Sequence, residues 1–264
     1  MTALHQAATI ALHPAVRARN VISIASGKGG VGKTWVAITL AHALANAGKR
    51  SLLFDGDLGL ANVDIQLGLM PRHDLGSVIT GGVRMPEAVA RYGDGGFDIL
   101  AGKSGSGALA LLSSDRLMGV RDQLVDLAQR YDHVVMDLGA GIDNHVRVLA
   151  AASGRVLVVA TDEPTSLTDA YAFIKVTVMQ FPGTDIRILV NAAQSPREGR
   201  RTYETLRKAC ESFLNISPAL AGVVRADPRV RESIRAQIPT LIRHPGSNAA
   251  TDMERLATAL IAET

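Results

Sequence analysis

Nine residues, Ser26-Gly-Lys-Gly-Gly-Val-Gly-Lys-Thr34, carry the densest chemical signal in the chain. Gly27, Gly32, Lys33 and Thr34 fit the spacing G-x-x-x-x-G-K-[ST], between an apolar run and a helical pattern. Gly27, Gly29, Gly30 and Gly32 let backbone N–H groups, that of Val31 among them, curl around phosphate oxygens at the positive end of a helix. Lys33 would bring a cation to the β- and γ-phosphates, and the Thr34 hydroxyl would ligate Mg²⁺. The loop Gly27–Thr34 is therefore expected to bind a nucleoside triphosphate with its metal, ATP and Mg²⁺.

Acidic residues close two further apolar runs: Asp55-Gly-Asp57 after Ser51-Leu-Leu-Phe54, and Asp137 after Val134-Val-Met136. Mg²⁺ takes oxygen ligands and keeps several waters, so a strand-end carboxylate behind Thr34 suits it. Asp137 is the expected Walker-B-type group, acting through water, with Asp55 a further candidate ligand. Asp57 could orient or activate the water that attacks the γ-phosphate. Each carboxylate taken singly could be no more than a strand-end cap; it is the phosphate loop that joins them into a site.

These groups need a scaffold that gathers strand ends. Short β-branched runs recur at Val21–Ala25, Ser51–Asp55, Phe97–Leu100, His133–Asp137, Arg155–Ala160, Ile186–Val190 and Ala219–Val224. Helical periodicity fills the intervals at Lys33–Ala47, Asp115–Arg130, Asn144–Ala152, Ser166–Met179, Arg200–Phe213, Asp227–Ala236 and Asn248–Ala262. The alternation predicts an α/β fold: a doubly wound, mostly parallel sheet flanked by helices, as in P-loop NTPases. Ligands in such sheets sit beyond the carboxyl ends of the strands. One domain is expected over residues 21–264, preceded by an arm of residues 1–20. With 47% apolar but only 4% aromatic residues among 264, the core must be built from Ala, Val, Leu and Ile. A single cysteine, Cys210, excludes a disulfide framework or a multi-cysteine metal site within one chain. No apolar stretch reaches membrane-span length, and the start lacks a secretory pattern, so a cytoplasmic location is expected.

Lys28, just after the first motif glycine, narrows the field. The run Lys28-Gly-Gly-Val-Gly-Lys-Thr34 resembles the deviant Walker A of MinD/ParA-type ATPases. That resemblance implies slow Mg²⁺-dependent ATP hydrolysis and an ATP-dependent homodimer in which Lys28 reaches the partner's phosphates. It also implies a hydrolytic role for Asp57, a Mg²⁺ role for Asp137, and an adenine contact for Asn191, whose amide can both donate and accept. The segments Asp55–Leu69, Glu163–Lys175 and Asp137–Ile142 resemble the flagellar-number regulators of the FleN/FlhG branch. Three features depart from the family: Leu138 where Thr is more usual, Trp35 where a small or polar residue is common, and a loop Val224–Asp227 without the usual proline. Core filling behind the phosphate loop is the plain reading of Trp35; tuning of dimer contacts is the other.

The branch implies partners such as an FlhF-like GTPase or a flagellar transcription regulator. His5-Gln-Ala7 resembles the centre of a GTPase-activating motif but lacks its flanking residues. The rival readings are a ParA-like DNA-dependent partition ATPase, a MinD-like cell-division positioning ATPase and a nucleotide-binding scaffold without useful hydrolysis. The overall charge of +3 conceals eleven Lys/Arg against five Asp/Glu between Arg187 and Arg243. From Arg197 to Arg235 these could form a phosphate-binding face or a solvated helix surface. The last helix is expected to pack on the sheet, since Arg255 alone opposes Asp252, Glu254 and Glu263, unlike a lipid-binding helix. The lone cysteine sets aside iron–sulfur relatives.

Overall fold

β-Branched runs become strands and the periodic stretches between them become helices, in the order the sequence predicts. The computed structural model describes residues 17–102 and 113–263, so His5-Gln-Ala7 lies outside the described residues. The first half comprises β1 (Ala18–Ser26), α1 (Lys33–Asn46), β2 (Ser51–Gly56), α2 (Val63–Leu67), α3 (Leu75–Ile79), a 3-10 turn (Met85–Glu87), β3 (Ala90–Tyr92), β4 (Phe97–Leu100) and α4 (Ser114–Ala128). The second comprises β5 (His133–Ala140), α5 (Asn144–Ala151), β6 (Ser153–Ala160), α6 (Pro164–Gln180), β7 (Ile186–Ala193), α7 (Pro196–Leu214), β8 (Ala219–Arg225), α8 (Pro228–Ala236), α9 (Thr240–Arg243) and α10 (Asn248–Ala262).

The strands form one sheet in the order β3-β4-β2-β5-β1-β6-β7-β8. Every pairing is parallel except β3 with β4. The central strand β1 lies between β5 and β6, so the winding reverses beside it and the loops after β1, β2 and β5 converge on one crevice. Side chains alternate across the sheet into two cores. Val21, Phe54, Met136 and Val158 face α4–α7, while Ile24, Leu53, Val135 and Leu157 face α1 and α10. α1 is buried almost all round because it lies between the sheet and α10. Truncating Leu40 or Leu44 within it would cost about 2–5 kcal/mol.

Capping explains where the helices begin. Ser195 accepts the Glu198 N–H and Pro196 occupies the first turn, so α7 starts four residues before Arg200, the start that periodicity alone predicts. Asp227 caps α8 in the same manner. The short α2, α3, β3 and α9 leave no clear period in sequence; α3 exists because Asp74 accepts from the Ser77 N–H at 2.7 Å. As expected, α10 buries Ala249, Met253, Leu256, Ala257 and Leu260. No helix among the described residues is long and apolar enough to cross a membrane.

His42 sits deep in α1, its ring 5.9 Å from that of Phe97 and its Nδ1 without a hydrogen-bond partner among the described residues. Burial pushes its pKa below the ordinary 6.5. The folded state therefore keeps His42 neutral, while the unfolded chain takes up a proton once the pH falls below about 6.5. Its contribution to stability is full above that value and is lost on acidification. Between pH 7.5 and 5.5 the parent should lose more melting temperature than His42→Leu; equal losses would contradict this account.

Candidate nucleotide and metal site

The phosphate loop hangs between the end of β1 and the start of α1. Two of its glycines are demanded by close approach. A Cβ on Gly27 would lie 2.0 Å from the Asp169 carbonyl oxygen of α6, and one on Gly32 would lie 2.4 Å from Asn191 Nδ2. Gly32 also has φ 94°, a left-handed turn into α1, and no side chain caps that helix. Its first N–H groups are thus left for an anion. Gly30 differs from both: open space surrounds its Cβ position, and it is its φ of 80° that calls for glycine. Asn191 Nδ2 donates to the Val31 carbonyl at 2.8 Å and holds the loop from behind.

Register in the sheet brings the carboxylates together: Asp55 on β2 pairs opposite Asp137 on β5. Asp55 is fully buried and accepts the N–H groups of Asp57 and Val63, each at 3.2 Å. Burial pushes its pKa up to about 7, against the pull of those two hydrogen bonds. Asp137 is pushed up to about 8, first by burial and then by Asp55, while the Thr34 hydroxyl and the Lys33 ammonium pull it down. Lys33 is itself buried, which lowers its pKa, and Asp137 and Asp57 oppose that effect. Asp57 is oriented by the N–H groups of Gly59 and Leu60 at 3.1 and 2.9 Å.

A cavity of about 510 Å³ opens above these groups, lined by Gly29, Gly30, Gly32, Lys33, Thr34 and Asp57, a size that suits a nucleotide. The site's oxygen donors fit Mg²⁺. Asp137 Oδ1 is buried without a hydrogen-bond partner among the described residues, and Thr34 lies against the same carboxyl. No group of three or more His, Cys, Asp or Glu side chains among the described residues could hold a metal ion. The arrangement calls for Thr34, one carboxylate, phosphate oxygens and water, the usual pattern for Mg²⁺.

Not every expected residue lines the cavity. Gly27, Val31, Asp55 and Asp137 are set back from the cavity lining, and the Val31 side chain is buried in the core beside α1. Lys28 does not line the cavity either: its Nζ donates to Glu163 Oε2 at 2.6 Å and Thr165 Oγ1 at 2.8 Å, at the start of α6. Asn191 lies behind the loop rather than in the cavity wall. Asn62, Gln66, Asp143 and His145 do line the cavity. None stands out in the sequence, although Asn62 falls in the Asp55–Asp64 run. The basic stretch divides as well. Arg207 pairs with Glu204 and Glu211, and Arg225 with Asp252. Arg197, Arg200, Arg201, Lys208, Arg229, Arg231 and Arg235 are exposed and form no ion pair among the described residues.

The profile of the CobQ/CobB/MinD/ParA nucleotide binding domain (CbiA) matches residues 22–240. The chain belongs to this family. Among its MinD/ParA-family relatives, the antiactivator FleN of Pseudomonas aeruginosa is 39% identical over 93% of this chain and 86% of FleN. The flagellum site-determining protein YlxH of Helicobacter pylori is 34% identical over 72% of this chain and 64% of YlxH. The septum site-determining protein MinD of Pyrococcus horikoshii, solved with Mg-ADP, superposes with a TM-score of 0.77 at 26% identity, covering 91% of this chain and 95% of that one. The eight-stranded, mostly parallel sheet is thus the MinD/ParA fold.

In this MinD/ParA-family site, carboxylates crowd a buried corner whose nearest cation is Lys33. Asp137→Asn should therefore leave the nucleotide-free melting temperature unchanged or raised. It should also weaken Mg²⁺-dependent ADP binding at least tenfold, about 1.4 kcal/mol. A lower melting temperature with undiminished Mg·ADP binding would contradict the assignment.

Proposed function

We propose that the chain is an ATP-dependent dimerising switch ATPase that regulates flagellar number, placement or biosynthesis. The observation that carries this reading is a partly exposed signature lysine beside a formed phosphate cavity. Lys28 is spare in its own site, held on Glu163 at the surface, and is therefore available to a second copy. Similarity to FleN and YlxH favours the flagellar branch over the MinD-like reading.

Lys33 counters phosphate charge from within, and Thr34 with Asp137 holds the metal, which supplies charge neutralisation at the β- and γ-phosphates when bound. Asp57, fixed by two backbone N–H groups, positions the attacking water. For Asn191 to contact adenine, its amide would have to leave the Val31 carbonyl, which it holds from behind the loop. Exposed Leu60 lines the cavity; covering it in a dimer would help exclude water from the reaction. Dimerisation requires Lys28 to exchange Glu163 for the partner's phosphates. This exposed ion pair contributes little on its own, so ATP can displace it. One domain follows the arm, and the protein acts in the cytoplasm, with partners of the FlhF-like GTPase or transcription-regulator kind.

The unpaired Arg229, Arg231 and Arg235 on α8 keep one second reading, duplex DNA binding in the ATP state. Steep loss of affinity with salt would mark it.

Light scattering with ATP and with ADP, together with steady-state turnover, tests the proposal. The parent should double its mass with ATP only. Lys28→Ala should bind Mg·ADP like the parent yet stay monomeric with ATP. Asp57→Ala should dimerise and turn over about 100-fold more slowly or worse. A Lys28→Ala variant that dimerises like the parent would overturn the switch.

A further inference from the structure

A phosphate-binding helix start poses a mechanical problem. The first N–H groups of α1 must face the anion, so no side chain caps them. The rotation of that turn has to be fixed from the side. Asn191 fixes the loop before it through the Val31 carbonyl. Thr34 meets Asp137 from the sheet, and Trp35, which directly follows it, reaches a further element.

Trp35 is 5% exposed, and its indole N–H donates to Thr240 Oγ1 at 2.8 Å. Thr240, itself 2% exposed, opens α9. Trp35, with Gln66 and Ile234, lies between the nucleotide cavity and a void of about 10 Å³ also lined by Ser233 and Ile238. That void is too small to hold a water comfortably. Ser233 Oγ is buried there without a hydrogen-bond partner among the described residues. Polar links between this layer and the site include Trp35 to Thr240, and Gln237 Nε2 to the Ile65 carbonyl of α2 at 2.7 Å. Only the first reaches α1. A core-filling aromatic would need no such acceptor; a buried indole N–H placed on a buried hydroxyl defines one orientation of the ring and of the turn that bears it.

We infer that Trp35 is a positioning residue for ATP hydrolysis: its hydrogen bond to Thr240 holds the first turn of α1, with Lys33 and Thr34, in place for the phosphates and Mg²⁺. The inference rests on the phosphate-site reading proposed above. Trp35 acts through its neighbours and touches no reacting atom.

The test uses the full chain and three substitutions. Trp35→Phe keeps an aromatic wall without the donor, Thr240→Val keeps the shape without the acceptor, and Thr240→Ser keeps the acceptor. Trp35→Phe and Thr240→Val should each raise the Mg²⁺ concentration for half-maximal ATP turnover about fivefold. The double variant should be no worse than either single one, because both remove the same bond. Thr240→Ser should titrate like the parent. Trp35 is the chain's single tryptophan, so its emission reports the site directly. The emission change on adding Mg·ADP should need correspondingly more Mg²⁺ in Thr240→Val and not in Thr240→Ser. Parental Mg²⁺ titrations in Trp35→Phe and Thr240→Val, or failure of Thr240→Ser to restore them, would overturn the inference. Lys33→Ala separates it from the site reading. Should Lys33→Ala bind Mg·ADP and turn over ATP like the parent, the phosphate site itself is misassigned; a defective Lys33→Ala beside a normal Thr240→Val removes only the role of Trp35.

Discussion

Asp55 and Asp137 face each other on adjacent parallel strands, and burial holds both carboxyls near neutrality while Lys33 is the cation closest to them. A buried carboxylate is costly unless it is paired or bonded to a metal. This corner is therefore poised to accept positive charge. A nucleotide arriving with Mg²⁺ brings that charge together with the anion that the uncapped start of α1 lacks. The fold is arranged around this exchange: β1 sits at the winding reversal so that the ends of β1, β2 and β5 meet, and α1 is buried almost all round.

Rigidity behind the site contrasts with the ease of change in front of it. Asn191, Trp35 and the register of β2 with β5 fix the loop and the carboxylates through buried contacts. Lys28, Glu163, Leu60 and Ile142 lie at the surface, where one ion pair and exposed apolar side chains can be rearranged at low cost. A switch needs this division, because a site that recognises phosphate must be preorganised while the surface that reports occupancy must have an alternative.

The phosphate loop was legible because its residues are contiguous and each type has a separate physical reason. Which of its glycines faces the ligand was not: Gly30 lines the cavity, whereas Gly27 is spent on the approach of α6, and the spacing alone treats them alike. Asp55, Asp57 and Asp137 were legible because each closes an apolar run that must be a strand. Glu163 as the seat of Lys28 was not, since the two lie 135 positions apart and only the approach of α6 to the loop joins them. Thr240 as the acceptor for Trp35 was hidden in the same way, 205 positions distant in a four-residue helix with no period to read. The basic stretch looked uniform because sequence spacing cannot tell Arg207, spent on two glutamates of its own helix, from Arg229, which points to solvent unpaired.

The central claim is that each site is completed by the lysine of another copy, and mixing two inactive variants tests it most directly. Lys28→Ala and Asp57→Ala are each expected to be inactive alone. Combined in equal amounts with Mg²⁺ and ATP, they should recover turnover, since a mixed dimer contains one site with its own Asp57 and the partner's Lys28. If the mixture stays as inactive as its components while the parent is active, Lys28 serves its own site and the account of a dimerising switch is wrong.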